Sequence, residues 1–217
     1  MGKLINGPFG TINGKIDNLV MYNLNGQNII RIKALPSNKP PSIKQLNNRM
    51  QLKVLSAFLD GIDALLRTGF GPLALDSTKN FHNLAIHYNK PHALKGYYPD
   101  VQVDYSKIIF SKGNLSTATA PRAEWTTEGI KFSWENQSAP RWPSSEDQVM
   151  LLAYCPAHEK HFFNISGAKR PKGWDVLDIP AKFQNEQFEL YISFVAHNRL
   201  DVADSQYMGL MTTAPDF

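Results

Sequence analysis

The sequence predicts an α+β protein: an N-terminal β-hairpin with a helical hairpin, followed by an immunoglobulin-like or fibronectin III-like antiparallel β-sandwich. Three observations predict it. An Asn-Gly pair, Asn25-Gly26, separates two β-prone runs. Apolar residues then recur at spacings of three and four from Ile43 to Leu66. From about Val101 the period changes to two, and short apolar segments alternate with Gly, Pro, Asn and Ser.

The elements follow in chain order. Gly7, Gly10 and Gly14 punctuate a first extended segment around Thr11-Ile12. The runs 19–21 and 29–32 pair across Asn25-Gly26, because both central positions of the favoured turn want φ > 0. An isolated hairpin is marginal in water, so this one must pack on a helix, on another strand or on another chain. Residues 36–41 (PSNKPP) form a rigid connector. Ser42 is a good N-cap and Gln45 completes a capping box, so a helix is expected over 42–68. Gly61 bends or splits it, and Gly69 with Pro72 stops it. A second helix fits 77–89, with Phe81, Leu84, Ala85 and Tyr88 on one face. It is expected to pack antiparallel to the first. Strands are expected at 107–111, 122–126, 129–134, 148–155, 161–165, 174–179, 188–196 and 207–211. Ile130, Phe132 and Trp134 alternate, so all three face the sandwich core.

Composition bounds the class. The chain has 217 residues, 42% of them apolar and 19% charged, enough to bury a core without staples. Cys155 is the single cysteine, so no intrachain disulfide forms. The opening MGKLINGPFG lacks the apolar stretch of a secretory signal. Asn6 stands where a myristoylation signal needs Ser or Thr. Synthesis in the cytoplasm is the expectation, without membrane insertion, and incorporation into an extracellular or particle-type assembly is compatible with it. The net charge of +4 is divided: residues 1–120 carry 14 Lys+Arg and 6 Asp+Glu, residues 121–217 carry 9 and 13. A basic region 1–100 and an acidic sandwich region 101–217 are the expected domains.

Two resemblances follow from particular stretches. GIKFSW (129–134), DIPAKFQNEQFELYISFVAHNR (178–199) and ADSQY (203–207) resemble the strands of a fibronectin type III or immunoglobulin-like sandwich. That resemblance implies that Tyr191 is a corner-type tyrosine. GPFGTINGKIDNLVMY, Arg31, PPSIKQLNNRM and the closing Tyr207-Met208-Gly209 are similar to an uncharacterised Bacteroidota domain-of-unknown-function family, over nearly the whole chain. It implies an architecture and no activity.

No catalytic set emerges. Cys155, His158 and His161 (CPAHEKH) offer thiolate and imidazole ligands three residues apart, but no second local pair completes a zinc site. His82, His87 and His92 are five apart, so on a helix they diverge by about 140°. Glu124, Glu128 and Glu135 lie on sandwich strands and turns, where such residues are usually solvated. Gly10 to Lys15 only mimics a phosphate loop, since Ile16 replaces its Ser or Thr. No cofactor, metal or small-molecule substrate is expected.

Surface chemistry is more informative. Lys15, Arg31, Lys33 and Arg49 belong to a basic stretch over 1–53 that holds Asp17 as its one acid. Tyr22 lies within it, and Trp142 and Trp174 sit in loops beside arginine or lysine, as aromatic contact residues do. These seven are the candidate interface residues. The expected function is a non-enzymatic structural or interaction protein, self-assembling through its N-terminal arm as a homo-oligomer or on another protein, in a filament, tail-like or virion-like setting. The alternative is a module binding nucleic acid or another polyanion through the basic half.

Overall fold

In a computed structural model that describes residues 2–4, 13–24, 26–36, 38–75, 77–136 and 143–212, the chain divides into two compact units, Met1–Ser42 and Ile43–Phe217. The division falls after the proline-rich connector rather than near residue 100. The helices belong with the sandwich.

In the first unit, β1 (Gly2–Leu4), β2 (Gly14–Ile16), β3 (Leu19–Leu24) and β4 (Gln27–Ile32) form one antiparallel sheet in the order β1-β4-β3-β2. The expected hairpin is its centre, and two short strands flank it. Gly26 adopts φ +78°, the conformation its turn requires, while Asn25 lies outside the described residues. The unit carries five Lys+Arg against one Asp, whereas residues 43–217 carry 18 of each sign. The whole formal charge of +4 therefore resides in the first unit.

The second unit opens with α1 (Ile43–Asp60), which starts directly after Ser42 as expected, and α2 (Asp63–Leu75). Gly61 splits the predicted long helix between them. Gly69 and Pro72 do not stop the second segment, and both lie inside α2. The reason at Gly69 is packing. A Cβ there would lie 2.2 Å from the Phe110 carbonyl oxygen, so the bare Cα permits close approach of that backbone. The next helix, α3 (Phe81–Asn89), starts later than expected, because Asn80 caps it: its side chain accepts from Asn83 N–H at 2.8 Å. A small hairpin, β5 (Leu94–Lys95) with β6 (Gln102–Val103), follows.

The expected strand at 107–111 does not form. Its apolar alternation is real, with Ile108 and Phe110 buried. Its backbone is satisfied by local turns and by side chains instead of a ladder. Ile109 N–H donates to Asn89 Oδ1 at 2.8 Å, Asn89 Nδ2 donates to Ile109 C=O at 2.7 Å, and Phe110 N–H donates to Ser205 Oγ at 3.0 Å. The buried Asn89 amide thus stands in for a neighbouring strand.

The sandwich comprises β7 (Thr119–Thr126), β8 (Gly129–Glu135), β9 (Gln148–Cys155), β10 (Lys160–Asn164), β11 (Trp174–Asp178), β12 (Phe188–Val195) and β13 (Gln206–Met211). A three-stranded sheet, β11-β8-β7, faces a four-stranded one, β10-β9-β12-β13, and all pairings are antiparallel. Ile130, Phe132 and Trp134 meet Val149, Leu151, Ile192 and Phe194 in the core between the sheets.

The other face of the four-stranded sheet is buried too. Met150, Leu152, Tyr154, Tyr191 and Val195 join Leu55, Phe58, Leu65 and Phe70 of the helices in a second core. The unit therefore has three layers: helices, four strands, three strands. Tyr191 is not a corner residue of the sandwich, because it points to the helical side. Its hydroxyl donates to the Tyr105 carbonyl oxygen at 2.7 Å, in the segment that precedes β7.

Candidate functional site

The register of the N-terminal sheet sorts its side chains onto two faces. Ile16, Leu19 and Ile32 lie in one row across β2, β3 and β4, and Met21 with Ile30 continues the same face. This row is 64%, 40% and 74% exposed. The opposite face carries the row Lys15, Val20 and Arg31, with Tyr22 and Ile29 beside it. One face therefore bears an exposed aliphatic row, and the other sets two cations beside Val20, Tyr22 and the buried Ile29. The pairing register imposes this, pinned by the turns at Asp17-Asn18 and Gly26, since LVMY and IIRI are apolar runs interrupted only by Arg31. Lys33 follows β4, and its N–H donates to the Asn18 carbonyl at 2.7 Å. Lys15, Arg31 and Lys33 form no ion pair among the described residues.

Of the seven candidate interface residues, the fold brings Lys15, Tyr22 and Arg31 onto one face. Arg49 is exposed on α1, in the other unit. Trp174 starts β11 and is 43% exposed, with Lys172 Nζ 3.9 Å and Lys131 Nζ 5.9 Å from its ring centroid. Arg49 and Trp174 thus sit in the two outer layers, with the four-stranded sheet between them. Trp142 lies outside the described residues. Sequence reasoning missed Ile16, Leu19 and Ile32 as a surface. The signal was available, since pairing Leu19 opposite Ile32 follows from the turn position.

The CPAHEKH residues part company. Cys155 is buried in the sandwich core, and His158 Nε2 lies 2.9 Å from Glu186 Oε1. His161 turns to the helical side, where Phe58 stands 5.1 Å and Tyr154 4.5 Å away between ring centroids. Among the described residues, no group of three or more His, Cys, Asp and Glu converges as metal ligands would. Glu124 pairs with Lys131 at 2.8 Å and Glu135 with Arg122 at 3.7 Å, so two of the three carboxylates serve cross-strand ion pairs.

His161 is the unusual one. Its Nε2 is buried and has no hydrogen-bond partner. Its ring lies against the backbone of Gly61, where a Cβ would come within 2.2 Å of Nδ1. Burial, and secondarily the charge of Lys160, lowers its pKa to about 4 from the ordinary 6.5. The unfolded chain therefore binds a proton between these values that the folded chain refuses. His161 contributes stability that is present above pH ~6.5 and lost as pH falls towards ~4. The loss is on the order of 1–2 kcal/mol once the part of the ring that water reaches is discounted. Urea unfolding of wild type and His161→Leu across this window measures it. Parallel curves would sink the assignment.

His161 also lines a cavity of about 500 Å³ between α1, the β5–β6 hairpin and the β9–β10 turn. Phe58, Tyr105 and Tyr154 wall it, with ring centroids 4.8–5.9 Å apart. Burial, and then the neighbouring Tyr105, raises the Tyr154 pKa, so its phenol stays protonated at neutral pH.

No helix among the described residues is long and apolar enough to cross a membrane. Comparison with curated proteins and with solved structures finds no match at a significant level. The family model of DUF6266 matches residues 11–209, which spans β2, β3 and β4 of the N-terminal sheet, the helices and nearly all of the sandwich. The chain therefore belongs to DUF6266, a family of unknown function.

Proposed function

We propose that the protein is a non-enzymatic structural or interaction protein that self-assembles through its N-terminal sheet and displays the sandwich. The exposed row Ile16, Leu19 and Ile32 carries this reading. A 42-residue unit of short strands has little core of its own. Covering each of these aliphatic side chains is worth roughly 1.5–3 kcal/mol. The occupant we assign is a second copy, through its acidic sandwich region. The first unit carries +4 and residues 121–217 carry −4, so charge steers one copy's first unit towards another's sandwich region, while the apolar row, on the face away from Lys15 and Arg31, supplies the buried contact. Such contacts propagate into rings or filaments.

Sedimentation velocity and electron microscopy over a concentration series test it. Wild type associates, more strongly at low salt, and the double variant Ile16→Asp/Ile32→Asp associates at least about tenfold more weakly with unchanged circular dichroism. A wild type that stays monomeric at concentrations on the order of 100 µM overturns it.

The Lys15–Val20–Arg31 row favours a second reading, in which this row meets a polyanion. Its signature is retention on heparin that falls steeply with salt and is weakened by Lys15→Glu/Arg31→Glu. Absence of retention at low salt removes it.

A further inference from the structure

We infer that the outer face of the helical layer, where α1, the end of α3 and the tip of the β5–β6 hairpin meet, is a binding surface for single-stranded nucleic acid. The surface lies wholly within the second unit, so it depends neither on assembly through the first nor on the Lys15–Val20–Arg31 row.

Charge is the first observation. The second unit is neutral as a whole, yet its charges are segregated. Residues 43–59 and 77–99 hold six Lys+Arg and no Asp or Glu, whereas residues 100–217 hold 11 and 15. Four of the six, Lys44, Arg49, Lys79 and Lys90, form no ion pair among the described residues. The other two are set aside, because Lys53 lines the same cavity as Glu159 and Lys95 faces Asp104. Asp60, at the far end of α1, lies 3.8 Å from His82. Stretches of cations without acids suit a row of phosphates.

Shape is the second. Between α1 and α3 runs a shallow hollow of about 440 Å³, with Leu52 on one bank and Lys79, Asn83, His87 and Lys90 on the other. Arg49 stands one turn before Leu52 on the α1 bank. Lys79 and Lys90 bracket α3, so they are on the order of 15 Å apart along it. The hollow is a trough with a cation at each end.

The third is the junction of charge with aromatic surface. Asn47 and Asn48 are successive on α1 and point about 100° apart. Asn47 Oδ1 accepts from the Tyr98 N–H at 2.9 Å, and Asn48 Oδ1 accepts from Lys90 Nζ. These bonds hold the hairpin tip on one flank of α1 and the end of the trough on the other. Lys44 lies one turn before both asparagines. An ammonium has three donors, so Lys90 keeps two for phosphate oxygens. Tyr97 and Tyr98 are 51% and 40% exposed. Phosphates along the trough and bases on the tyrosines make a single-strand site, since every base offers a face for stacking and a duplex hides those faces. Asp100 closes the hairpin turn, its N–H donating to the Tyr97 carbonyl at 2.7 Å, at the stacking end rather than along the trough.

The probe is a fluorescein-labelled oligothymidylate of about 15 nucleotides, titrated with the full chain and followed by anisotropy. A duplex of the same length and poly-glutamate are the competitors. Expected is saturation with a Kd on the order of 10 µM near physiological salt, and a log–log salt slope of about −3 for four phosphates. Lys44→Glu/Lys79→Glu, two exposed changes at opposite ends, weakens binding at least about tenfold and roughly halves the slope, with unchanged circular dichroism. Tyr97→Ala/Tyr98→Ala keeps the backbone bond to Asn47. It weakens the oligonucleotide about tenfold and leaves heparin retention unchanged. Ile16→Asp/Ile32→Asp and Lys15→Glu/Arg31→Glu bind the probe like wild type, which keeps failure of this surface distinct from failure of either reading of the N-terminal sheet. No binding at protein concentrations on the order of 100 µM in low salt overturns the proposal, as does indifference to the lysine or the tyrosine changes. Duplex or poly-glutamate that competes as well as unlabelled oligothymidylate also overturns it, the second in favour of an acidic protein partner.

Discussion

Replacing Arg170 with alanine lowers the free energy of unfolding by about 3–5 kcal/mol at neutral pH. Arg170 and Asp147 are 8% and 3% exposed, and their side chains meet at 3.2 Å. The guanidinium also donates to the Ser116 carbonyl at 2.8 Å and lies 3.7 Å over the Phe194 ring. It closes one end of the sandwich core. Trp134 Nε1 reaches the Arg170 carbonyl at 2.9 Å and packs edge-on against Phe194. Removing the side chain leaves a buried carboxylate without its countercharge.

The pH dependence separates this account from simple loss of packing. Burial already raises the Asp147 pKa, although Arg170 opposes it. Without Arg170 the rise is larger. A folded-state pKa above the unfolded value means that the folded chain holds the proton more tightly. Stability from that proton is present in acid and is lost as pH rises through the folded value. The penalty of Arg170→Ala is therefore greatest near neutrality and shrinks below about pH 4, the unfolded range of aspartate. Urea unfolding of wild type and variant at both pH values checks it. An equal loss at the two would assign the effect to packing alone.

Two glycines in one helix give the second large effect. Gly69→Ala costs about 3 kcal/mol, because the new Cβ meets the Phe110 carbonyl oxygen at 2.2 Å, Ser111 Cβ at 2.7 Å and Ser111 Cα at 2.9 Å. Two of these atoms are backbone, so α2 or the 110–111 segment must shift. Beyond its own helix and chain neighbours, the Cβ of Gly71→Ala has nothing within 4 Å. It removes helix-interior glycine and stabilises by about 0.5–1 kcal/mol. The same substitution two residues apart thus changes sign. Thermal unfolding of both variants reads it directly, and two effects of the same sign would contradict the packing of α2 on the 110–111 segment.

Local chemistry made much of this architecture legible. The Asn25-Gly26 turn, the Ser42 helix start and the strand at 148–155 were each specified by a few neighbouring residues. Gly69 was misread because a glycine that ends a helix and one that lets a chain approach look alike in sequence. The segment 107–111 was misread because Asn89, some twenty residues away, supplies the bonds of an absent strand. The layering had a local sign. VMLLAYC is apolar without alternation, which marks a strand covered on both sides, and nothing polar interrupts it. Of the candidate interface, the cations were visible from composition. The apolar row needed one further step, since Leu19 and Ile32 become neighbours only through the register that the turn sets. The cavity was least visible of all, because its walls come from stretches separated by dozens of residues.

The central sheet has a consequence for how this chain is inherited and re-used. Immunoglobulin-type units spread through multi-domain proteins as beads, cut at their ends and joined in tandem. Here Met150, Leu152, Tyr154 and Tyr191 look outward from the sandwich into the helices. Excised at residue 119, the seven strands would carry an uncovered greasy face and precipitate or cling to whatever they met. Such a sandwich cannot travel between proteins by itself. It moves with its helical cover or not at all, so duplication and shuffling act on residues 43–217 as one indivisible piece.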